Sequence, residues 1–330
     1  MPVEFLNETQ ANQSEKSAVI EDLAKVLYIG GQGRSGSTLL GRLLGDVPGF
    51  VNVGELRMIW VALTENRLCG CGTPIQECTF WSEVIKVAES NGGPIDSEAI
   101  LNTKRKMERL RSMPLLFLPI KSPGHSRTLT QYRDVLGRLY AAIRQVSGAK
   151  VIVDGSKTPM YAYYLLGTSG LDLRILHLVR DSRAVAYSWQ RKKLDPTIHW
   201  QETHFQPVPP ARVALEWSAK NILTEILTPR SVPSMFLRYE EAVKDPSSTV
   251  RRLTEFMSES LPADALDFLT GQTITLSTHH TVTGNPDRFN NTIRIRPDAE
   301  WQDKMNPRQR ALVTFLTYPL LAKYGYSIGS

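Results

Sequence analysis

The stretch "YIGGQGRSGSTLLGRLLG", Tyr28 to Gly45, decides the fold class. A short apolar run, Val26 to Ile29, leads into glycines, and Leu39, Leu40, Leu43 and Leu44 then recur at helical spacing. Strand, glycine loop and helix in that order is the arrangement of a phosphate-binding loop. Gly30, Gly31, Gly33 and Gly36 let the backbone curl until several N–H groups point inward, and the helix adds its positive end. Gly31 to Thr38 fits the triphosphate pattern G-x-x-x-x-G-K-[ST] at every fixed position but one. Ser37 stands where the lysine that reaches the β- and γ-phosphates belongs. With Arg34 projecting from it, such a loop suits a short anionic head better than a triphosphate chain. A glycine turn with no ligand is the plain alternative.

Working outward, strand and helix patterns alternate. Strands are expected at 25–31, 51–55, 150–155, 173–181 and 234–240. Helices are expected at 37–47, 97–112, 126–146, 211–227 and 247–258. A closing helix is expected at 307–325, kinked or split by Pro319. The alternation implies an α/β fold, a single P-loop-type three-layer domain whose mostly parallel central sheet is flanked by helices. Residues 1–24 read as a polar tail and 25–330 as the domain, with about 57–135 as a helical insertion on the acceptor side. Ligands of such sheets bind beyond the carboxyl ends of the strands, so the residues to watch follow each strand.

One of these is Arg180, at the end of the apolar run in "LHLVRDSRAVAYSW" (176–189). Ser188 comes eight residues later, a little over two helical turns, so both can reach one ligand group. An arginine and a hydroxyl suit a phosphate monoester dianion. A salt-bridged strand end is the ordinary reading of such an Arg-Asp pair. Composition leans the same way as the anion sites. The 330 residues carry a net charge of +6, which favours an anionic ligand but is too small and scattered to argue for nucleic acid.

Taken together, "GQGRSGSTLL" and "LVRDSRAVAYS" resemble the two nucleotide-binding signatures of the sulfotransferase family. The resemblance runs in order from about Lys25 to Trp301 and is nearest the carbohydrate, tyrosylprotein and bacterial types. The proline-lysine-serine-glycine loop usual in the phenol and steroid enzymes is absent. The resemblance implies 3′-phosphoadenosine 5′-phosphosulfate as donor. It implies Gly33, Arg34, Ser35, Gly36, Ser37 and Thr38 at the 5′-phosphosulfate, and Arg180 and Ser188 at the 3′-phosphate. "RYEEAVKDP" (238–246) resembles a segment whose tyrosine, here Tyr239, lies near the nucleotide. "TVTGNPDRF" (281–289) resembles a late loop that closes over it, bringing Asn285 and Arg288, and Trp301 resembles a tryptophan that commonly follows that loop.

Sulfuryl transfer requires an acceptor hydroxyl to lose a proton, a leaving oxygen to be stabilised and the reacting atoms to be held in line. Glu55, just after the strand "VNVG", is the expected general base, with burial raising its pKa toward working pH. Pairing with Arg57 is its bland role. Lys157, after "VIVDGS", is expected at the leaving oxygen, a position Arg34 also suits. The scheme requires no metal, and no residue is assigned as a metal ligand. The expected acceptor is a hydroxyl of a carbohydrate, glycolipid or small metabolite, a tyrosyl peptide being less expected. It should be shaped by the segments around 57–68, 100–135 and 190–210. A P-loop small-molecule kinase is the first rival, opposed by Ser37. A non-catalytic nucleotide-binding protein is the second, opposed by Glu55 and Lys157.

Other features carry less. Cys69, Cys71 and Cys78 fall within ten residues; they could bind zinc with a fourth ligand, form a local disulfide or remain plain thiols. Their spacing is not that of a usual finger, and no histidine lies within the stretch. His177, inside an apolar strand, reads as a core histidine. His279 and His280 could touch acceptor or nucleotide, although surface histidines are commoner. The basic run "NTKRKMERLRSM" (102–113) is ordinarily solvated, or else lines the approach of an acidic acceptor. The start of the chain lacks the features of a signal peptide, and the longest apolar stretch, 113–120, is too short to span a membrane. The expected location is therefore cytoplasmic.

Overall fold

Side chains of a strand alternate between its two faces, and in the central strand that alternation builds two cores. In a computed structural model describing residues 23–107, 123–271 and 273–328, β1 (Ala24–Gly30) lies at the middle of a five-stranded sheet. Ala24, Val26 and Tyr28 join one buried cluster, and Leu27 and Ile29 join the other. The remaining strands are β2 (Phe50–Gly54), β3 (Val151–Lys157), β4 (Leu171–Val179) and β5 (Ser234–Arg238). Their order is β2-β3-β1-β4-β5, and every pairing is parallel. Near-continuous apolar runs such as "VLYIG" are what a strand covered on both faces requires.

Helix α1 (Ser37–Gly45) follows the glycine loop. Between β2 and β3 come α2 (Ile59–Thr64), α3 (Thr79–Ser90), α4 (Ser97–Met107) and α5 (Pro123–Ser147). The rest are α6 (Pro159–Leu165), α7 (Ser182–Gln190), α8 (Pro210–Leu227), α9 (Tyr239–Lys244), α10 (Pro246–Phe256), α11 (Glu300–Lys304) and α12 (Pro307–Lys323). Trp60, Trp81, Leu136, Tyr140 and Tyr161 cover one face of the sheet. Leu40, Leu43, Leu44, Val250 and Leu253 cover the other. A third cluster joins α7, α8 and α12. Burying a Leu or Val side chain stabilises by about 1.5–3 kcal/mol, so these layers hold the strand ends, and with them the site, in register.

Two expectations are narrowed. Pro319 does not split the closing helix; α12 runs through it. Its missing N–H frees the carbonyl of Phe315, whose side chain is 77% exposed, so the gap falls on a solvent-facing stretch. In the basic run Asn102 and Arg105 are exposed as expected, whereas Lys104 is not solvated. It is buried and its Nζ donates to the Arg57 carbonyl at 2.6 Å. Residues 108–113 of that run, the apolar stretch 113–120 and residues 1–22 of the expected tail lie outside the described residues. Among the described residues no helix is long and apolar enough to cross a membrane.

Candidate active site

The carboxyl ends of all five strands deliver the site. The glycine loop follows β1, Glu55 follows β2, Lys157 closes β3, Arg180 follows β4 and Tyr239 follows β5. A cleft of about 580 Å³ opens there, lined by Gly33, Arg34, Gly36, Ser37, Thr38, Glu55, Lys157, Arg180, Ser188, Tyr239 and Asn285. That volume is of the size that takes a nucleotide-sized ligand. Seven cationic side chains (Arg34, Arg42, Lys157, Arg180, Arg191, Lys193 and Arg294) line it against three carboxylates, Glu55, Asp287 and Asp298. The cleft therefore carries most of the chain's positive excess and suits a polyanion.

The loop is shaped by sterics that only glycine meets. Gly36, at φ 91°, caps α1, and a Cβ there would stand 2.2 Å from the ring of Tyr239. Gly31, at φ 132°, lies so close to the Leu178 carbonyl that a Cβ would come within 2.3 Å. Two non-glycine residues at the site also take positive φ, Arg34 at 69° and Lys157 at 65°. Such conformations cost about 1–2 kcal/mol each, and residues strained in this way cluster at active sites and ligand clamps. At Lys157 the cause is visible in the register. Tyr28 pairs with Asp154 and Gly30 with Lys157, so β3 holds one extra residue and turns its last side chain.

The loop and the second anion site are physically joined. The Arg180 guanidinium donates through Nη1 to the Arg34 carbonyl at 3.0 Å and through Nη2 to Asp298 Oδ2 at 2.7 Å. It also lies 4.6 Å over the Tyr239 ring. Arg34 in turn lies over the rings of Trp189, at 5.0 Å, and Phe205, at 5.3 Å, and reaches Asn285 Oδ1 at 3.4 Å. The Asn285 N–H donates to Thr38 Oγ1 at 3.2 Å, which ties the late loop to α1. Buried polar atoms without a protein partner cluster here: Ser35 Oγ, Arg42 Nε and Nη2, Arg180 Nε and Thr283 Oγ1. Buried donors are normally satisfied. A set of them beside a cationic cleft fits an anionic ligand that completes them.

Glu55 and Lys157 form an ion pair, Nζ to Oε1 at 2.6 Å, with side chains 17% and 13% exposed. Arg57 stands 3.5 Å from the other carboxylate oxygen. This corrects the expected protonation. Burial does push the Glu55 carboxyl up, but the Lys157 and Arg57 charges, the Lys157 hydrogen bond and Arg288 outweigh it. The carboxyl is held below the ordinary glutamate range, ready as an acceptor of protons in form but weak in basicity.

Two expected residues sit off the cleft. Ser35 belongs to the loop but is buried and does not line the cleft surface. Arg288 is also buried and donates to the carbonyls of Leu68, at 2.9 Å, and Thr281, at 3.2 Å. It borders a notch of about 10 Å³ shared with Glu55 and Lys157, where burial brings its pKa down to about 10. Trp301 is also remote, packed under the Arg183 guanidinium at 4.5 Å. His177 is a core histidine bonded to Asn221 at 2.9 Å, with burial lowering its pKa. His279 stands 3.2 Å from Asp46 and does not line the cleft, and His280 turns toward the cysteines. Sequence reasoning missed Arg42, Trp189, Lys193 and Phe205. Only Arg42 had a local signal, standing one turn after Thr38 on the same face of α1.

The profile of the sulfotransferase family matches residues 27–263. The chain belongs to the sulfotransferase family. It shares its fold with the sulfotransferase domain of the Synechococcus PCC 7002 olefin synthase, at 19% identity and a TM-score of 0.54, over 93% of this chain and 96% of that one. The sulfotransferase STF9 from Mycobacterium avium is a more distant likeness, at 11% identity and a TM-score of 0.47, over 96% of this chain and 81% of that one. No curated protein matches the chain at a significant level.

Proposed function

We propose that this sulfotransferase moves a sulfuryl group from 3′-phosphoadenosine 5′-phosphosulfate to a hydroxyl of a carbohydrate, glycolipid or small metabolite, with Glu55 as general base. The observation that carries the reading is a cleft in which five strand ends bring two linked cationic sites together with Glu55. The donor, when bound, would supply the sulfuryl group and a phosphate leaving group. The loop residues from Gly33 to Thr38 would hold its phosphosulfate end, and Arg180 with Ser188 its 3′-phosphate. Tyr239 and Asn285 would border it, and Arg288 would support the wall behind Glu55. The helices between β2 and β3 are the proposed acceptor side.

Lys157 has two competing uses, which gives the pair a mechanism. While it holds Glu55, the carboxylate is a weak base. An ammonium turned instead toward an anion in the loop releases Glu55, and burial is then opposed only by Arg57 and Arg288. The Glu55 pKa rises, so the carboxylate can take the acceptor's proton. The same movement brings Lys157, beside Arg34, to where a leaving oxygen gains charge. One event thus arms the base and the electrophilic group together.

Calorimetric titration with adenosine 3′,5′-bisphosphate tests the reading. Tight binding without magnesium is expected. Binding of magnesium–ATP with none of the bisphosphate would overturn it. An acceptor screen with labelled donor, setting sugars, glycolipids, phenols and tyrosine peptides side by side, then selects the hydroxyl class.

A further inference from the structure

The three cysteines acquire a partner that lies two hundred residues away in the chain. The turn that carries Cys69, Cys71 and Cys78 docks on the late loop: the Gly70 N–H donates to the Thr281 carbonyl at 2.8 Å. A Cβ at Gly70 would stand 2.4 Å from the His279 carbonyl, so the two backbones are in close contact. The docking carries His280 Nδ1 to 3.2 Å from Cys78 Sγ and 3.9 Å from Cys69 Sγ. Cys78 Sγ lies 3.7 Å from Cys69 Sγ and 3.8 Å from Cys71 Sγ, and all four atoms fall within 4.8 Å of one another.

Those spacings match a tetrahedron. With Zn–S near 2.3 Å and Zn–N near 2.05 Å, ideal geometry places sulfurs about 3.8 Å apart and sulfur about 3.6 Å from nitrogen. The two sulfur pairs that share Cys78 agree, and the distances from His280 Nδ1 to Cys78 and Cys69 bracket the ideal. A disulfide needs about 2.05 Å, and the two sulfur spacings around Cys78 are equivalent, so no bonded pair is singled out. The imidazole is also held in place. The Phe80 ring stacks on it with centroids 5.0 Å apart and planes at 13°, and Trp81 Nε1 donates to the His280 carbonyl at 3.0 Å. Ligating groups oriented by neighbours in this way are typical of metal sites. Two of the thiols are fully buried, and thiols hydrogen-bond weakly, so hydrogen bonding among themselves gives little reason for four such groups to converge.

We propose that Cys69, Cys71, Cys78 and His280 form a structural zinc site that fastens the turn after α2 to the late loop. Three thiolates and an imidazole are a closed donor set of the soft kind that selects zinc. Binding releases the thiol protons to solvent. The fastened loop is the one whose Asn285 bonds to Thr38 and whose Arg288 backs the catalytic notch, so the metal would brace the cleft without entering it.

The test needs no substrate and no activity. Protein purified under reducing conditions without chelator should carry one zinc per chain by elemental analysis. Exchange into cobalt should produce sulfur-to-cobalt charge-transfer absorption. Cys71→Ser and His280→Ala should lose the metal, and hydrogen exchange in residues 279–288 should slow when zinc is restored to chelated protein. Reduced, folded protein that holds no zinc and takes up none when titrated would overturn the proposal. So would protein isolated with two of the thiols joined in a disulfide. Zinc bound without protection of 279–288 would overturn the fastening role. Metal content of the unmodified chain decides the site even if a variant misfolds.

Discussion

Two ion pairs face the same cleft and are built differently. At the loop, Lys157 meets Glu55 at 2.6 Å with both side chains mostly buried, each anchored at a strand end. At the second site, Arg180 meets Asp298 at 2.7 Å, but Asp298 is 37% exposed and comes from the segment before α11. In both, burial alone would raise the carboxyl's pKa and the cation outweighs it. Arg57 and Arg288 assist at Glu55, and the Glu300 N–H and Arg191 assist at Asp298. The difference lies in what remains when the cation leaves. Glu55 would be a poorly solvated carboxylate and hence a stronger base, whereas Asp298 can turn to water. A buried pair can store a change of basicity, and an exposed one serves as an exchangeable placeholder.

The largest expected effect comes from removing the base. Glu55→Gln should lower turnover by roughly 10²-fold or more while bisphosphate binding stays as tight or tightens, because Lys157 is released. Full activity in that variant would leave the buried pair without a catalytic role. Next, Arg180→Ala should weaken the 3′-phosphorylated nucleotide by roughly 10- to 150-fold, the equivalent of about 1.5–3 kcal/mol for a hydrogen bond to a charged group. Its 3′-dephospho analogue should lose much less; equal losses measured by calorimetry would mean that Arg180 does not read that phosphate.

Lys157→Met sharpens the comparison through pH. In the unmodified chain the folded pKa of Glu55 lies below its unfolded value, so its contribution to stability is full above about pH 4.3 and is lost as pH falls through the folded pKa. Without Lys157, burial is opposed by Arg57 and Arg288 alone; the folded pKa is then expected to rise above the unfolded one, so that a penalty grows as pH rises past about 4.3. The stability gap between the two proteins should widen from pH 4 toward neutrality in denaturant titrations. A constant gap would show that Lys157 does not control Glu55. The smallest effect belongs to the exposed pair. Asp298→Asn should tighten bisphosphate binding about two- to fivefold, the scale of a surface ion pair near 0.5–1 kcal/mol. Weaker binding would mean that Asp298 orients Arg180 rather than competing with the ligand.

Much of this arrangement was legible from local pattern. The five expected strands fall within two residues of β1 to β5, because unbroken apolar runs bounded by glycine and charge leave few other structures open. Glu55, Lys157 and Arg180 were found by looking at the ends of those runs, Tyr239 came from the family resemblance, and the parallel sheet brings all four to one edge. Lys193 and Phe205 were not legible. They reach the cleft through a two-residue strand pairing, Lys193–Leu194 with His204–Phe205, that has no periodicity to read. The acidity of Glu55 was read in the wrong direction because burial can be guessed from position, whereas the opposing charges come from three separate segments.

By itself the sequence determined the loop, the strands and the edge on which the chemistry stands, since these depend on residues within a turn or a strand of one another. The loop, with Ser37 in place of lysine, already pointed to a short anionic head. Only the tertiary structure decided how Glu55 ionises, because that depends on a sum of distant charges in a low-dielectric space. It alone set His280 beside Cys69, Cys71 and Cys78, because the docking of two backbones far apart in the chain, not the spacing of cysteines, turns three thiols into a site with four ligands.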